Sequence, residues 1–231
     1  MEPEIWKFRR GFQLLRLKRG VGYLTYESET IKDILGNLNL VVSDYDLVFR
    51  LYAILDAIRN EEEHGHGITI VLGYHSEVSS HVAAMSEDVF ESTCEHLNDI
   101  HMKDRIRLIR EVDGVILVSP TGQMLHSGMF FIVNPLKILQ NMNVYKKEMG
   151  LPEQFGFARL VGTRHISSIS ASYNMPGTLV FTLSENNEIR IFNNGRIIFS
   201  ELPEEMPAFK FGEKPETKEE SKESEKVLLK L

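Results

Sequence analysis

The stretch Gly162-Thr163-Arg164-His165 combines residue types that bind phosphates and metals. Gly162 would let the backbone approach a ligand closely, and Thr163 is a candidate N-cap for the helix predicted to follow. Arg164 offers a forked, permanent cation suited to phosphate, and backbone amides at a helix start also attract anions. His165 could ligate a metal or hydrogen-bond a phosphate oxygen. An ordinary helix cap explains the same residues, so this stretch alone leaves both interpretations open.

A second stretch, Asp113-Gly114-Val115, stands just before the apolar run at residues 116–118. An aspartate at the mouth of a strand can present its carboxylate to a metal, while Gly114 lets the backbone pass close to a ligand. Asp-Gly is also among the commonest turn pairs, so a plain turn into the strand is the alternative.

In this order the two stretches resemble motifs of the diadenylate cyclase domain. Members of that family carry Asp-Gly-Ala at a strand start and Gly-Thr-Arg-His-Arg at a helix start. A Ser-Glu pair follows on a later strand and is matched here by Ser184-Glu185. The resemblance covers residues 43 to 199 and includes the apolar strand at residues 67–73.

The chain departs from the family pattern at several points. Val115 stands in place of the family's alanine, Ile166 in place of the last arginine, and Asn186 in place of a second glutamate. The segment from Leu136 to Leu160 is longer than the corresponding family loop, where a lid over the nucleotide or an insertion without chemistry are both possible. Besides an active cyclase, a catalytically weak or inactive nucleotide-binding sensor or assembly subunit is therefore kept as an alternative.

The resemblance implies an activity and a set of site residues. Two ATP molecules would be condensed into cyclic di-AMP and two pyrophosphates across a face-to-face pair of domains, so self-association is expected. Asp113, Arg164 and His165 are implied as catalytic residues, with Asp113 and His165 holding a divalent Mg²⁺ or Mn²⁺ ion. The implied nucleotide-binding residues are Gly114, Val115, Gly162, Thr163, Arg164, Ser184 and Glu185.

Composition excludes several classes of protein. A net charge of −7 and a pI near 5.7 argue against wholesale binding to nucleic acid. The single Cys94 cannot form an intramolecular disulfide, which fits a reducing compartment. No apolar run approaches the roughly 20 residues that span a bilayer, and no secretory signal opens the chain. We therefore expect a soluble, cytoplasmic protein whose partners are neither nucleic acid nor membrane.

Three regions are predicted along the 231 residues. Residues 1–30 form a basic, aromatic extension, either a nucleic-acid or membrane-surface arm or a segment packed on the domain. Residues 31–200 alternate helical patterns with apolar runs, which predicts an α/β fold: a single domain with a central mixed β-sheet flanked by helices. Residues 201–231 are rich in Glu, Lys and Pro and are predicted to be a disordered charged tail.

Within the domain, periodicity predicts individual elements. A helix should follow Ser43, and strands are expected at residues 68–72, 116–118 and 124–133. Further helices are expected at residues 86–97, 103–110 and 163–174, with a loop at 143–157 and a three-stranded meander over residues 178–199. His64 and His66, in a Gly-rich turn, are either a metal site or solvated turn residues.

Overall fold

The structure is a computed structural model that describes residues 16–18, 21–23, 38–61, 66–84, 95–110 and 114–205. Asp113 and His64 lie outside these residues, as do most of the predicted extension and most of the predicted tail. The elements follow in the order β1 (Arg16–Lys18), β2 (Val21–Tyr23), α1 (Asp46–Glu61), β3 (Ile68–Leu72), a 3-10 helix (Ser76–His81), β4 (Val82–Ala84), α2 (Met102–Arg110), β5 (Val115–Val118), β6 (Met124–Phe131), α3 (Pro135–Asn141), α4 (Leu151–Gln154), α5 (Thr163–Asn174), β7 (Leu179–Leu183), β8 (Ile189–Asn193), β9 (Arg196–Ser200) and a 3-10 turn (Pro203–Glu205).

A seven-stranded sheet forms the centre of the fold, in the order β4-β6-β5-β3-β7-β8-β9. Strands β3 and β5 are parallel, whereas the other neighbours in this sheet are antiparallel. A parallel pair needs a crossover, and the chain between β3 and β5 supplies one that includes α2. The predicted α/β domain with a mixed sheet is confirmed. Strands β1 and β2 pair only with each other, in a separate two-stranded sheet.

Apolar side chains cover both faces of the sheet, which explains why every residue of β3 and β7 is buried instead of every second one. On one face Ile70 and Phe181 pack in a cluster with residues of α1 and α2. On the other face Val71 and Val180 pack in a cluster with residues of α3 and α5. Helix α5 therefore lies directly on the middle of the sheet, and its first turn comes to one end of the strands.

Several elements differ from the sequence-based predictions. Helix α5 begins at Thr163 with Gly162 as its N-cap, and no side chain bonds to the cap, so Thr163 is not the capping residue that was predicted. The predicted loop at 143–157 contains the short helix α4. Of the helix predicted over residues 86–97, residues 86–94 lie outside the described part of the chain, and Leu97 lies in a turn. Residues 201–205 were assigned to the tail. They pack against the domain, as the complete burial of Glu205 shows.

Candidate functional site

The predicted motifs meet at one end of the central sheet. Ile68, at the start of β3, pairs with Leu183, at the end of β7, so Ser184 follows directly at this end. Val115, at the start of β5, pairs with Thr69 and brings Gly114 to the same end. Gly114 and Ser184 are separated by two strand spacings, which is roughly 10 Å. The fold thus places segments from distant parts of the sequence side by side.

A cleft lies between the start of α5 and the turn that joins β7 to β8. Its cavity volume is about 150 Å³. The lining residues are Arg159, Leu160, Val161, Gly162, Arg164, His165, Ser184, Glu185, Asn186, Glu188 and Arg190. Five of the predicted site residues are therefore together in one cleft: Gly162, Arg164, His165, Ser184 and Glu185.

Gly114 and Val115 are not among the residues that line this cleft, and both have structural roles. Gly114 has a positive φ of +145°, and a Cβ there would lie 2.8 Å from the Cα of Gly128 on β6. The close approach of β6 therefore requires this glycine whether or not a ligand is present. Val115 is buried in the core cluster that includes residues of α5.

The guanidinium of Arg164 lies next to Gly67, which stands just before β3. A Cβ on Gly67 would lie 2.1 Å from the Arg164 Nη1 atom, so the guanidinium occupies the space of the missing side chain. Its Nη1 faces Glu185 Oε1 at 3.7 Å, and the Glu185 side chain is 70% exposed. A long, solvated ion pair of this kind is weak and exchangeable.

Ser184 closes the turn between β7 and β8. Its Oγ accepts a hydrogen bond from the Glu188 amide at 3.0 Å, and its own amide donates to the Glu188 carbonyl at 2.9 Å. The buried Ser184 side chain therefore fixes the turn that forms the wall of the cleft, and its hydroxyl keeps one hydrogen to donate.

The sequence analysis missed two buried charged residues at the base of the cleft: Arg190, which lines it, and Glu205 behind it. Arg190 on β8 is 1% exposed, and its Nε and Nη2 donate to the two carboxylate oxygens of Glu205 at 2.6 and 2.9 Å. Its Nη1 lies 3.1 Å from Glu188 Oε2. An arginine between Ile189 and Ile191 on a buried strand requires a counter-charge, and this signal could have been read from the sequence. Its partner could not, since Glu205 stands in a Glu-rich stretch.

His165 is buried beside this ion pair. Its Nε2 lies 3.1 Å from Arg190 Nη1. A guanidinium can only donate, so Nε2 must be the acceptor and the ring must be neutral with its proton on Nδ1. Burial lowers the pKa of His165 to about 4, and the positive charge of Arg190 adds to this effect. The ring of Phe157 packs edge-on against the imidazole at 6.0 Å between centroids.

The residues that the structure describes do not fit the expected divalent metal. The lone pair of His165 Nε2 points at a guanidinium, and a metal cation there would face a positive charge at close range. No group of three or more His, Cys, Asp or Glu side chains suited to a metal occurs among residues 38–61, 66–84, 95–110 and 114–205. The alternative of a metal site at His64 and His66 stays a prediction, because His64 lies outside the described residues.

Carboxylates balance the cations that line the cleft. Arg159 forms an ion pair with Glu188, which also faces Arg190. Since Arg190 is fully buried and Arg164 faces the exposed Glu185, the two arginines differ in what they can do. Arg164 is 23% exposed and its partner Glu185 is solvated, whereas Arg190 is 1% exposed and bound to a buried carboxylate.

Comparison with known proteins gave structural matches only. No family model matches the chain, and no curated protein matches it. The chain is similar to the crystal structure of a hypothetical membrane spanning protein from Bacillus cereus, with a TM-score of 0.44 and 16% identity over 65% of this chain and 60% of that one. It is also similar to a double mutant of DacA from Staphylococcus aureus, with a TM-score of 0.42 and 12% identity over 69% of this chain and 89% of that one. The chain thus spans less than two thirds of the Bacillus cereus protein.

Along the described residues, no helix combines the length and apolarity needed to cross a membrane.

Proposed function

We propose that this chain binds ATP at the cleft and acts as a diadenylate cyclase, joining two ATP molecules into cyclic di-AMP with release of two pyrophosphates. The observation that carries the proposal is the meeting of Arg164 and His165, on the first turn of α5, with Ser184-Glu185 after β7. These are the segments whose order in the sequence resembles the cyclase motifs.

The phosphates would bind at the start of α5. Arg164 would pair with them in place of Glu185, and the first amides of the helix would add partial positive charge. A Cβ on Gly162 would meet no atom within 4 Å, so the backbone is open to a ligand at this point. A cavity of about 150 Å³ is smaller than the roughly 300–1,000 Å³ of sites that enclose a small molecule. It would therefore hold phosphate groups, while the nucleoside extends toward Gly114 and a facing domain.

The proposed reaction is an exchange between two bound nucleotides. Each ribose 3′-hydroxyl attacks the α-phosphorus of the other ATP, the bond to pyrophosphate breaks, and the hydroxyl proton passes to Asp113 or to water. Positioning and charge neutralisation supply most of the catalysis in chemistry of this type. The Mg²⁺ or Mn²⁺ ion would arrive with the ATP phosphates, with Asp113 as its proposed protein partner.

A second candidate is a nucleotide-binding sensor or assembly subunit without turnover. Where the cyclase motif has its last arginine, Ile166 is 9% exposed and packs in the core beneath α5. Loss of one hydrogen bond to a charged group costs about 1.5–3 kcal/mol, which corresponds to tenfold or more in affinity or rate. Arg190 does not compensate for the loss, because it is committed to Glu205.

Product analysis distinguishes the two candidates. The purified chain is incubated with ATP and Mg²⁺ or Mn²⁺ over a range of protein concentrations, and products are identified by mass spectrometry while ATP binding is measured by calorimetry. We expect cyclic di-AMP and pyrophosphate in a ratio of one to two. ATP binding without any dinucleotide would favour the sensor, and absence of ATP binding would remove both candidates.

A further inference from the structure

The interior behind the cleft contains a charged pair that the proposed chemistry does not use. Arg190 is 1% exposed and Glu205 is fully buried. Removing both charges from water is costly, and an apolar pair of similar volume is often at least as stable. Stability alone therefore does not explain this pair well. Its contact with His165, a residue that lines the cleft, suggests a role in positioning.

Glu205 determines how the guanidinium of Arg190 is oriented. The two carboxylate oxygens take Nε and Nη2, at 2.6 and 2.9 Å, which leaves Nη1 for His165 Nε2 and Glu188 Oε2, each at 3.1 Å. Bidentate geometry fixes the plane of a guanidinium, which a single bond does not. The Ser200 hydroxyl donates to Glu205 Oε2 at 2.7 Å and so holds the carboxylate in turn.

The segment that carries Glu205 is fixed at both ends. Glu201 accepts hydrogen bonds from the Ile189 amide at 3.0 Å and from the Tyr52 hydroxyl at 3.1 Å, and it forms an ion pair with Arg59. Since residues 201–205 are tied to α1 at one end and to β8 at the other, Glu205 has little freedom to reorient.

We propose that Glu205 is a positioning residue for the cleft. Acting through Arg190, it holds His165 as the neutral Nδ1–H tautomer with Nε2 as acceptor, and thereby orders the first turn of α5 on which Arg164 stands. The role in ligand binding rests on the proposed binding of ATP, whereas the effect on the His165 tautomer does not.

The tautomer is measured first, on the full chain labelled with ¹⁵N. Long-range ¹H–¹⁵N spectra at pH 7 report which ring nitrogen carries the proton, and His165→Gln assigns the signals. In the wild type we expect a protonated Nδ1 and an unprotonated Nε2. The double variant Arg190→Met/Glu205→Leu leaves no buried charge unpaired and should fold. Its His165 should show an average of both tautomers.

Matched variants separate positioning from general damage. Glu204→Gln changes the exposed neighbour of Glu205 in the same turn and should leave the spectrum unchanged. Ser200→Ala removes only the hydroxyl that holds the carboxylate and should shift the signals slightly toward the double variant. If the double variant does not fold, Ser200→Ala decides the matter. If the double variant folds and its His165 signals match those of the wild type, the proposal is overturned. If the double variant does not fold, wild-type signals in Ser200→Ala overturn it.

ATP and adenosine titrations then test the consequence for the cleft. The double variant should bind ATP about tenfold more weakly, with adenosine binding unchanged, because phosphate contacts depend on the first turn of α5. A changed tautomer with unchanged ATP affinity would overturn the role in the cleft. If the wild type binds no ATP, the proposed function fails, while the tautomer of the double variant still decides whether the Arg190–Glu205 pair sets the His165 tautomer, and Ser200→Ala tests the part played by Glu205.

Discussion

His165 illustrates how a neighbour decides what a residue can do. Its type and its place at the start of a helix fit a metal ligand or a catalytic group. In the structure, Nε2 accepts a hydrogen bond from Arg190, and the ring packs edge-on against Phe157. A neutral imidazole held in this way can orient a phosphate or the helix start, but the lone pair needed to bind a metal through Nε2 is already engaged.

The burial of His165 predicts a pH dependence of stability. Its pKa is about 4 in the folded chain and ordinarily about 6.5, with burial and Arg190 lowering it and Glu205 opposing them. Between these values the unfolded chain binds a proton that the folded chain does not, so the free energy of unfolding decreases as the pH falls from 6.5 to 4. The decrease amounts to about 3 kcal/mol. Urea unfolding across this range should show it.

The variant His165→Gln should remove most of that dependence, since glutamine can accept from Arg190 without titrating. His126→Gln, at an exposed position on β6, is the matched control and should keep it. The clearest window is pH 5 to 6.5, because the pKa of Glu205 is also shifted: burial raises it, but hydrogen bonds from Arg190 and Ser200 outweigh burial and hold it below the ordinary carboxyl range. Protonation of Glu205 therefore lowers the free energy of unfolding only at a lower pH, below the ordinary carboxyl range. An unchanged slope in the glutamine variant would contradict the assignment.

At the scale of elements, the cleft depends on how the strands end. Gly67 stands immediately before β3, and its missing side chain leaves the space in which Arg164 of α5 lies. The contact joins a strand end to a helix start, and neither motif alone reveals it. Gly67 therefore belongs to the candidate site, although it contacts the ligand only through Arg164 in our proposal.

The variant Gly67→Ala should displace the Arg164 guanidinium while leaving the fold intact. The new Cβ would lie 2.1 Å from Arg164 Nη1, a flexible side-chain end that can move, and 3.0 Å from the Leu183 carbonyl oxygen. We expect ATP affinity to fall about tenfold with adenosine affinity unchanged, as in Arg164→Ala, because only phosphate contacts are lost.

Gly150→Ala is the control, since a Cβ there meets its nearest atom at 3.9 Å. Calorimetric titrations of the three variants with both ligands give the comparison. Equal losses for ATP and adenosine in Gly67→Ala would show that Arg164 does not face the phosphates.

The sequence predicted the elements better than it predicted their contacts. Apolar runs bounded by glycines identify β3, and helical periodicity identifies α1 and α5, because burial imposes these patterns locally. It also identified Arg164 and Glu185, which do lie together in the cleft. The Arg190–Glu205 pair was missed because only the strand pairing brings its two residues together. Gly114 was assigned to a ligand, whereas its φ of +145° and the nearby Gly128 of β6 already require a glycine there.

At the scale of the whole molecule, the open end of the sheet explains why pairing is expected. In the proposed reaction the cleft of about 150 Å³ would hold the phosphates but not a complete nucleotide, and joining two nucleotides would require two such clefts opposed. One domain could bind ATP, but it could not close a cyclic product. Activity should therefore depend on chain concentration in a way that ATP binding does not.

Mixing an inactive chain with the wild type tests both pairing and chemistry. Asp113→Asn keeps shape and hydrogen bonding but removes the charge proposed to act on the 3′-hydroxyl, so turnover should fall by orders of magnitude while ATP affinity falls only modestly.

In an equimolar mixture, about half of all chains would be in mixed pairs by random association, and a wild-type chain trapped there cannot complete a product. Specific activity per wild-type chain should therefore drop to about half, and at low concentration it should fall further as pairs dissociate. Adding Glu204→Gln chains instead, which change an exposed residue outside the cleft, should cause no inhibition. Product formation and ATP binding are measured along the same titration. Near wild-type turnover by the Asp113→Asn chain alone would remove Asp113 from the mechanism, and additive activities in the mixture would exclude a paired site.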